Sequence, residues 1–204
     1  MINMSTKSRS IRRIALGTAA AAVAALAIPS SGLAATSFGA KLNQNIQPSN
    51  SQPAHPCVYN APAQPCTRVE MDAYNNAGNE RAPKDGTIKQ IKLIAGGAGS
   101  FRLQIAKAHA AQQTAKVVEQ GPKIHYQGQQ NPNALHYEVE TFNVNVPVKK
   151  GEYLATKSKK TSMVRCSSGG PNQLLFQPAL SVGGPFQPAT DTDGCWLLLQ
   201  AVYS

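Results

Sequence analysis

Catalytic machinery is what this chain has least of. An enzyme needs positioned acids, bases or nucleophiles, and here 204 residues hold only 10 acids and four histidines. His55, His109, His125 and His136 fall singly, in an expected arm, strand end, loop and strand start. None has the H-x-H or H-E-x-x-H spacing of a metal site, and no C-x-x-C occurs, so neither a metal nor a cofactor is expected. The G-x-S-x-G turn of an activated serine is also missing, and Ser167 and Ser168 after Cys166 read as a loop. Glu138 and Glu140 share a strand face as glycosidase acids sometimes do, but a solvent-facing polar row explains them more simply. Asp191-Thr192-Asp193-Gly194 lacks the third acid and the distant glutamate of a helical calcium loop and reads as a turn.

Long apolar runs are scarce too. The one from Ile14 to Ile28 is shorter than the roughly 20 residues that span a bilayer, and no later segment comes close, so no membrane span is expected. Lys7, Arg9, Arg12 and Arg13 precede it and small residues up to Ala34 follow, the pattern of a secretory signal peptide over 1–34. The residues after Arg12-Arg13 fit twin-arginine export poorly, which favours the general secretory route. No cysteine follows closely enough to take a lipid. The expectation is a soluble, secreted protein outside the cytoplasm.

Cleavage after Ala34 leaves 170 residues, enough for one domain with a full core. It leaves 16 basic against 10 acidic residues, a net charge of +6 rather than +10. Such a charge attracts anionic cell walls, phospholipid headgroups and polyanionic glycans. Nucleic acid is not expected, because the basic residues form no stripe interleaved with aromatics, which are 6% of the chain.

All four cysteines survive cleavage, which in an oxidising compartment implies two disulfides. Three pairings are possible. Cys57 with Cys66 and Cys166 with Cys195 is favoured, since the first closes a proline-rich loop and the second staples the last strand to an earlier one. Closures of these lengths contribute roughly 3 and 3.5 kcal/mol in the loop-entropy model.

The last ten residues, Cys195 to Ser204, are apolar on both parities of a strand, so they need cover on both faces. Upstream, Phe101, Leu103 and Ile105 alternate with Arg102, Gln104 and Ala106, as a half-buried antiparallel strand does. Thr87 to Ala95 and Ser100 to His109 flank Gly96-Gly97-Ala98-Gly99 and read as a hairpin. Gly121 to Ala134 reads as a long loop, His136 to Val148 as one long strand with a phase change, and Ala35 to Pro65 as a polar arm. Ala108 to Ala115 reads equally as a helical turn or a continued, bulged strand, and no full helix pattern follows the signal. The fold class is all-β, an antiparallel β-sandwich of about eight or nine strands, with a jelly roll as its candidate variant, over 66–204.

The order of elements, from a polar arm with a cystine loop, through the glycine run and Val-Pro-Val-Lys-Lys-Gly-Glu-Tyr-Leu, to Leu-Leu-Leu-Gln-Ala, resembles uncharacterised β-sandwich domains of secreted actinobacterial proteins. The resemblance implies fold and export and brings no site residues with it.

Two places offer binding chemistry. In the loop from Lys123 to Asn131, Tyr126 would present a flat ring to a sugar, with His125, Gln129 and Asn131 beside it for hydroxyl contacts. Lys149, Lys150, Lys157, Lys159 and Lys160 lie in two successive turns that would meet as an anion-binding rim. The reading is a secreted, non-catalytic binding module for an extracellular glycan or cell-wall polymer. Its alternatives are an assembly protein docking a partner chain through 35–65 and, third, a polysaccharide-active enzyme.

Overall fold

Alternating side chains and frequent Gly, Pro and Asn turns produce a chain of strands. The computed structural model describes residues 36–43, 45–48, 55–57, 64–75, 79–130, 136–166 and 171–204. The expected signal peptide and Asn131 lie outside the described residues. Among the described residues the protein is all-β with no helix: β1 (Thr36–Gly39), β2 (His55–Pro56), β3 (Cys66–Glu70), β4 (Gly86–Leu93), β5 (Gly99–His109), β6 (Thr114–Tyr126), β7 (Glu140–Val148), β8 (Tyr153–Ser158), β9 (Lys160–Thr161), β10 (Val164–Cys166), β11 (Gln173–Phe176), β12 (Gln187–Pro188), β13 (Asp191–Asp193), β14 (Cys195–Leu197) and β15 (Leu199–Tyr203). Six of these segments have only two or three residues.

The strands pair antiparallel into a curled seven-stranded sheet, ordered β12-β6-β5-β8-β3-β11-β13, and a four-stranded sheet, ordered β1-β15-β4-β7. Two short pairs, β10-β14 and β2-β9, complete the ladders. One buried cluster joins Phe38, Ile91, Leu93, Val146 and Tyr203 of the four-stranded sheet to Phe101, Leu103, Ile105 and Leu154 of the seven-stranded sheet.

The terminal apolar run is two strands, because Leu198 steps between partners. Its N–H donates to the Met163 carbonyl at 2.6 Å, and its carbonyl accepts from Ile94 at 3.1 Å. Leu197, Leu199, Ala201 and Tyr203 enter the main cluster, whereas Leu198 joins Ile46, Ile94 and Tyr137 on the other side. Both parities are apolar for that reason.

Three expectations need correction. The polar arm over 35–65 begins as a strand, since β1 pairs with β15 from Thr36↔Tyr203 to Gly39↔Gln200. Phe38 is fully buried and meets the Tyr203 ring edge-on at 5.7 Å. Burying one such ring stabilises by about 1.5–3 kcal/mol, enough to anchor an otherwise polar segment. Second, Gly96 to Gly99 turns no hairpin, because β4 and β5 belong to different sheets. The true hairpin joins β5 to β6, with Gln113 left-handed at φ 49 in its turn. Third, Gly121 to Tyr126 is the end of β6 rather than a loop. Arg102 pairs with Lys123 and Gln104 with Gln120, so Gly121 and Pro122 face only Leu103 in a bulge. A bulge is where a sheet tolerates proline.

Cys57–Cys66 and Cys166–Cys195 are bonded, the second pair lying directly opposite each other on β10 and β14. Disulfides accord with an extracellular location. Among the described residues no helix is long and apolar enough to cross a membrane.

Candidate functional site

The seven-stranded sheet has one face on the main core; the other face changes character along its strands. On β5 the side chains at 102, 104 and 106 share that outer face, and they read arginine, glutamine, alanine. Near Ala106 the face is apolar, with Val69, Val117, Tyr153, Ala155, Leu174 and Phe176 around it. The connection after β11 folds over this part, placing Leu180 in the same cluster. The Gly183 N–H donates to the Val117 carbonyl at 2.9 Å and the Leu180 N–H to the Thr67 hydroxyl at 3.0 Å.

Toward Arg102 the cover ends. Arg102 lies directly opposite Lys123 on β6 and Lys157 on β8, so three cations stand side by side across three adjacent strands. Neighbouring strands are about 4.8 Å apart. Like charges directly opposite each other destabilise a sheet, and the cost recurs on both sides of Arg102. With Lys159 and Lys160 beyond the end of β8, the row borders an open cleft of about 570 Å³ whose lining, among the described residues, contains no Asp or Glu. Among the described residues none of the five cations is ion-paired. Arg102 reaches only the Gly121 carbonyl, at 3.4 Å.

The expected sugar loop is not what forms here. Tyr126 shares the inward parity of Ile124, is 4% exposed, and lies 6.2 Å from the Phe101 ring. Its hydroxyl is 3.4 Å from Ser162 Oγ at the floor of the cleft, and Gly99 opposite it leaves room for the ring. Tyr126 is therefore a packing residue and cannot serve as a solvent-facing platform. His125 is exposed and faces the opposite way, beside Ser100. Gln129 is half-buried, its N–H donating to the Ala95 carbonyl at 2.8 Å. Glu140 holds this turn, accepting from the N–H groups of Gln127 at 3.0 Å and Gly128 at 2.7 Å.

The lysine rim divides. Lys157, Lys159 and Lys160 line the cleft. Lys149 and Lys150 occupy the turn at the other end of β8, where their N–H groups donate to Glu152 and Asp85. A six-residue strand separates the two groups by roughly 20 Å, since consecutive turns on one strand sit at opposite ends of a sheet. Arg102 and Lys123 take the place of Lys149 and Lys150 beside the other three lysines. Sequence reading missed them because only the β5–β6 register, bulge included, sets them side by side.

The inner face of the same sheet buries charge where it passes from β8 to β3, β11 and β13. Arg68 is fully buried and donates to Gln173 Oε1 at 3.0 Å, to Asp193 Oδ2 at 3.2 Å and to the Pro56 carbonyl at 2.6 Å. It thus ties the first cystine loop to the sheet. Glu70 is also fully buried; burial pushes its carboxyl well above the ordinary range, although Oε2 accepts the Leu197 N–H at 2.7 Å. Oε1 has no partner. Asp191 and Asp193 accept backbone N–H groups of Thr192 and Cys195, as turn aspartates do. Cys166, Asp193 and Cys195 are the one group of potential metal ligands gathered among the described residues, and both sulfurs are committed to the disulfide.

These features define an all-β, disulfide-bonded protein whose open cleft is bordered by unpaired cations. No protein-family model, curated protein or solved structure matches the chain.

Proposed function

We propose that the protein is a secreted, non-catalytic binding module, built as a β-sandwich, whose cationic cleft takes an anionic glycan or cell-wall polymer. The observation that carries this reading is the lateral row Lys123–Arg102–Lys157, retained despite its mutual repulsion. A small monoanion would neutralise one member of the row. A polymer bearing repeated carboxylate, sulfate or phosphate groups engages several at once, and Arg102 offers the planar fork that such groups accept. Nucleic acid fits less well, because Phe101 and Tyr126 in the lining are buried and give bases no face to stack on. The alternative of assembly through 35–65 meets β1, which is already paired, so deleting Ala35 to Gln52 would cost fold stability as well as any partner contact.

The test is retention of the oxidised mature protein on heparin-agarose, uncharged dextran beads and single-stranded DNA-cellulose across a salt series. Retention on heparin that declines as salt screens the row, and that Arg102→Glu abolishes, is the expected result. Heparin retention that Arg102→Glu leaves unchanged, stronger retention on DNA, or none on heparin at low salt would sink the reading.

A further inference from the structure

The hydroxyl-recognising chemistry that the sequence suggested around Tyr126 exists elsewhere, around Tyr74. A pocket of about 270 Å³ has Asn43, Asn45, Gln47, Tyr74, Asn75 and Arg165 in its lining, and among the described residues it shares none with the cationic cleft. We propose that this pocket is a second binding site, for an uncharged saccharide unit.

Four side-chain amides converge here. Each both donates and accepts, as sugar hydroxyls do, so an amide can serve either end of a hydroxyl hydrogen bond. The pocket is organised before any ligand arrives. The Asn43 carboxamide oxygen accepts the Asn45 N–H at 3.0 Å, and Asn45 Oδ1 lies 3.1 Å from His136 Nδ1. Arg165 is fixed by donation to the Gln47 carbonyl at 3.0 Å and leaves further donors of its fork for the pocket. Among the described residues the Gln47 and Asn75 side chains have no hydrogen-bond partner. Asn75 holds a left-handed backbone at φ 55, a conformation that clusters at ligand clamps and that asparagine tolerates.

The aromatic surface is braced in the same way. Tyr74 packs against the Ile46, Ile94, Tyr137 and Leu198 cluster and is half-buried, leaving part of its ring to the pocket. Trp196 meets it at 5.3 Å with the ring planes at 63°, and the Trp196 indole N–H donates to Asp72 Oδ2 at 3.0 Å. A ring whose rotamer is locked gives the largely polar pocket a fixed wall at little entropic cost. Among the described residues the pocket's lining holds one cation and no carboxylate, so the pocket is far less charged than the cleft and suits a neutral sugar.

Trp196 is the only tryptophan in the chain, so its fluorescence reports on this site directly. The oxidised protein is titrated with chitotetraose, mannotetraose, xylotetraose and maltotetraose, following Trp196 emission and saturation-transfer NMR of the sugar. At least one probe should give a saturable change with a dissociation constant of about 1 mM or lower, undiminished at about 0.5 M salt. Tyr74→Ala should weaken that response about tenfold or more, Tyr74→Phe should keep it within about threefold, and Arg102→Glu should leave it unchanged. Should Tyr74→Ala fail to fold, Gln47→Ala, an exposed position, must weaken binding in its place. No saturable response from any of the four sugars in the wild-type protein, or a response that survives both Tyr74→Ala and Gln47→Ala, overturns the proposal.

Discussion

Gln104 and Arg102 are neighbours on the same side of β5, yet they belong to two different environments. Gln104 is fully buried: its carboxamide oxygen accepts from Thr67, and its amide reaches the Leu180 carbonyl. Arg102, one pleat along, stands exposed between two lysines. The difference comes from cover. The segment after β11 crosses the sheet as far as Thr67 and Val117 and no farther, and the residue types switch where it stops. A covered face selects for volume and satisfied polar groups, whereas an uncovered one is free to accumulate charge that folding alone would disfavour.

Removing the cover should have the largest effect. Leu180→Ala is expected to cost about 2–5 kcal/mol in urea unfolding, with heparin retention unchanged below the new transition. Inverting the open half should do the opposite. Arg102→Glu is expected to lower polyanion affinity about tenfold or more, while thermal stability stays equal or rises as two repulsive neighbours are relieved. The inner face adds a pH dependence. Folding raises the Glu70 carboxyl above its ordinary value of 4.5, so its contribution is whole below that pH and is lost as pH climbs through the raised folded value. The melting temperature of Glu70→Gln, followed from acid to neutral pH, should therefore fall less steeply than that of the wild type; an identical slope would remove Glu70 as its source. The smallest effect is expected at the far turn, where Lys149→Ala with Lys150→Ala should change heparin affinity by less than about threefold. A loss as large as that of Arg102→Glu would restore the single lysine rim.

Local patterns carried the all-β character of the chain. The alternation of Phe101, Leu103 and Ile105, and the apolar character of Cys195 to Tyr203 on both parities, mark buried strands without any knowledge of partners. Of three possible cysteine pairings, the one favoured for closing a proline-rich loop and stapling the last strand is the one formed. What stayed hidden depended on register. Ile124 and Tyr126 alternate with Lys123 and His125 as strand residues do, but Gly121 and Pro122 beside them speak of a loop until the bulge opposite Leu103 is known. The same bulge aligns Lys123 with Arg102, so one irregularity concealed both the burial of the tyrosine and the row of cations. Phe38 was obscured differently, as a single apolar anchor diluted by polar neighbours.

In the four-stranded sheet β15 is an interior strand, flanked by β1 and β4, so the ladder of β1 is supplied by β15, from Thr36↔Tyr203 to Gly39↔Gln200. β4 and β7 can pair before β15 is in place, but β1 cannot join them until β15 has settled between. The sheet therefore closes through contacts of very large sequence separation, and such contacts form late in folding.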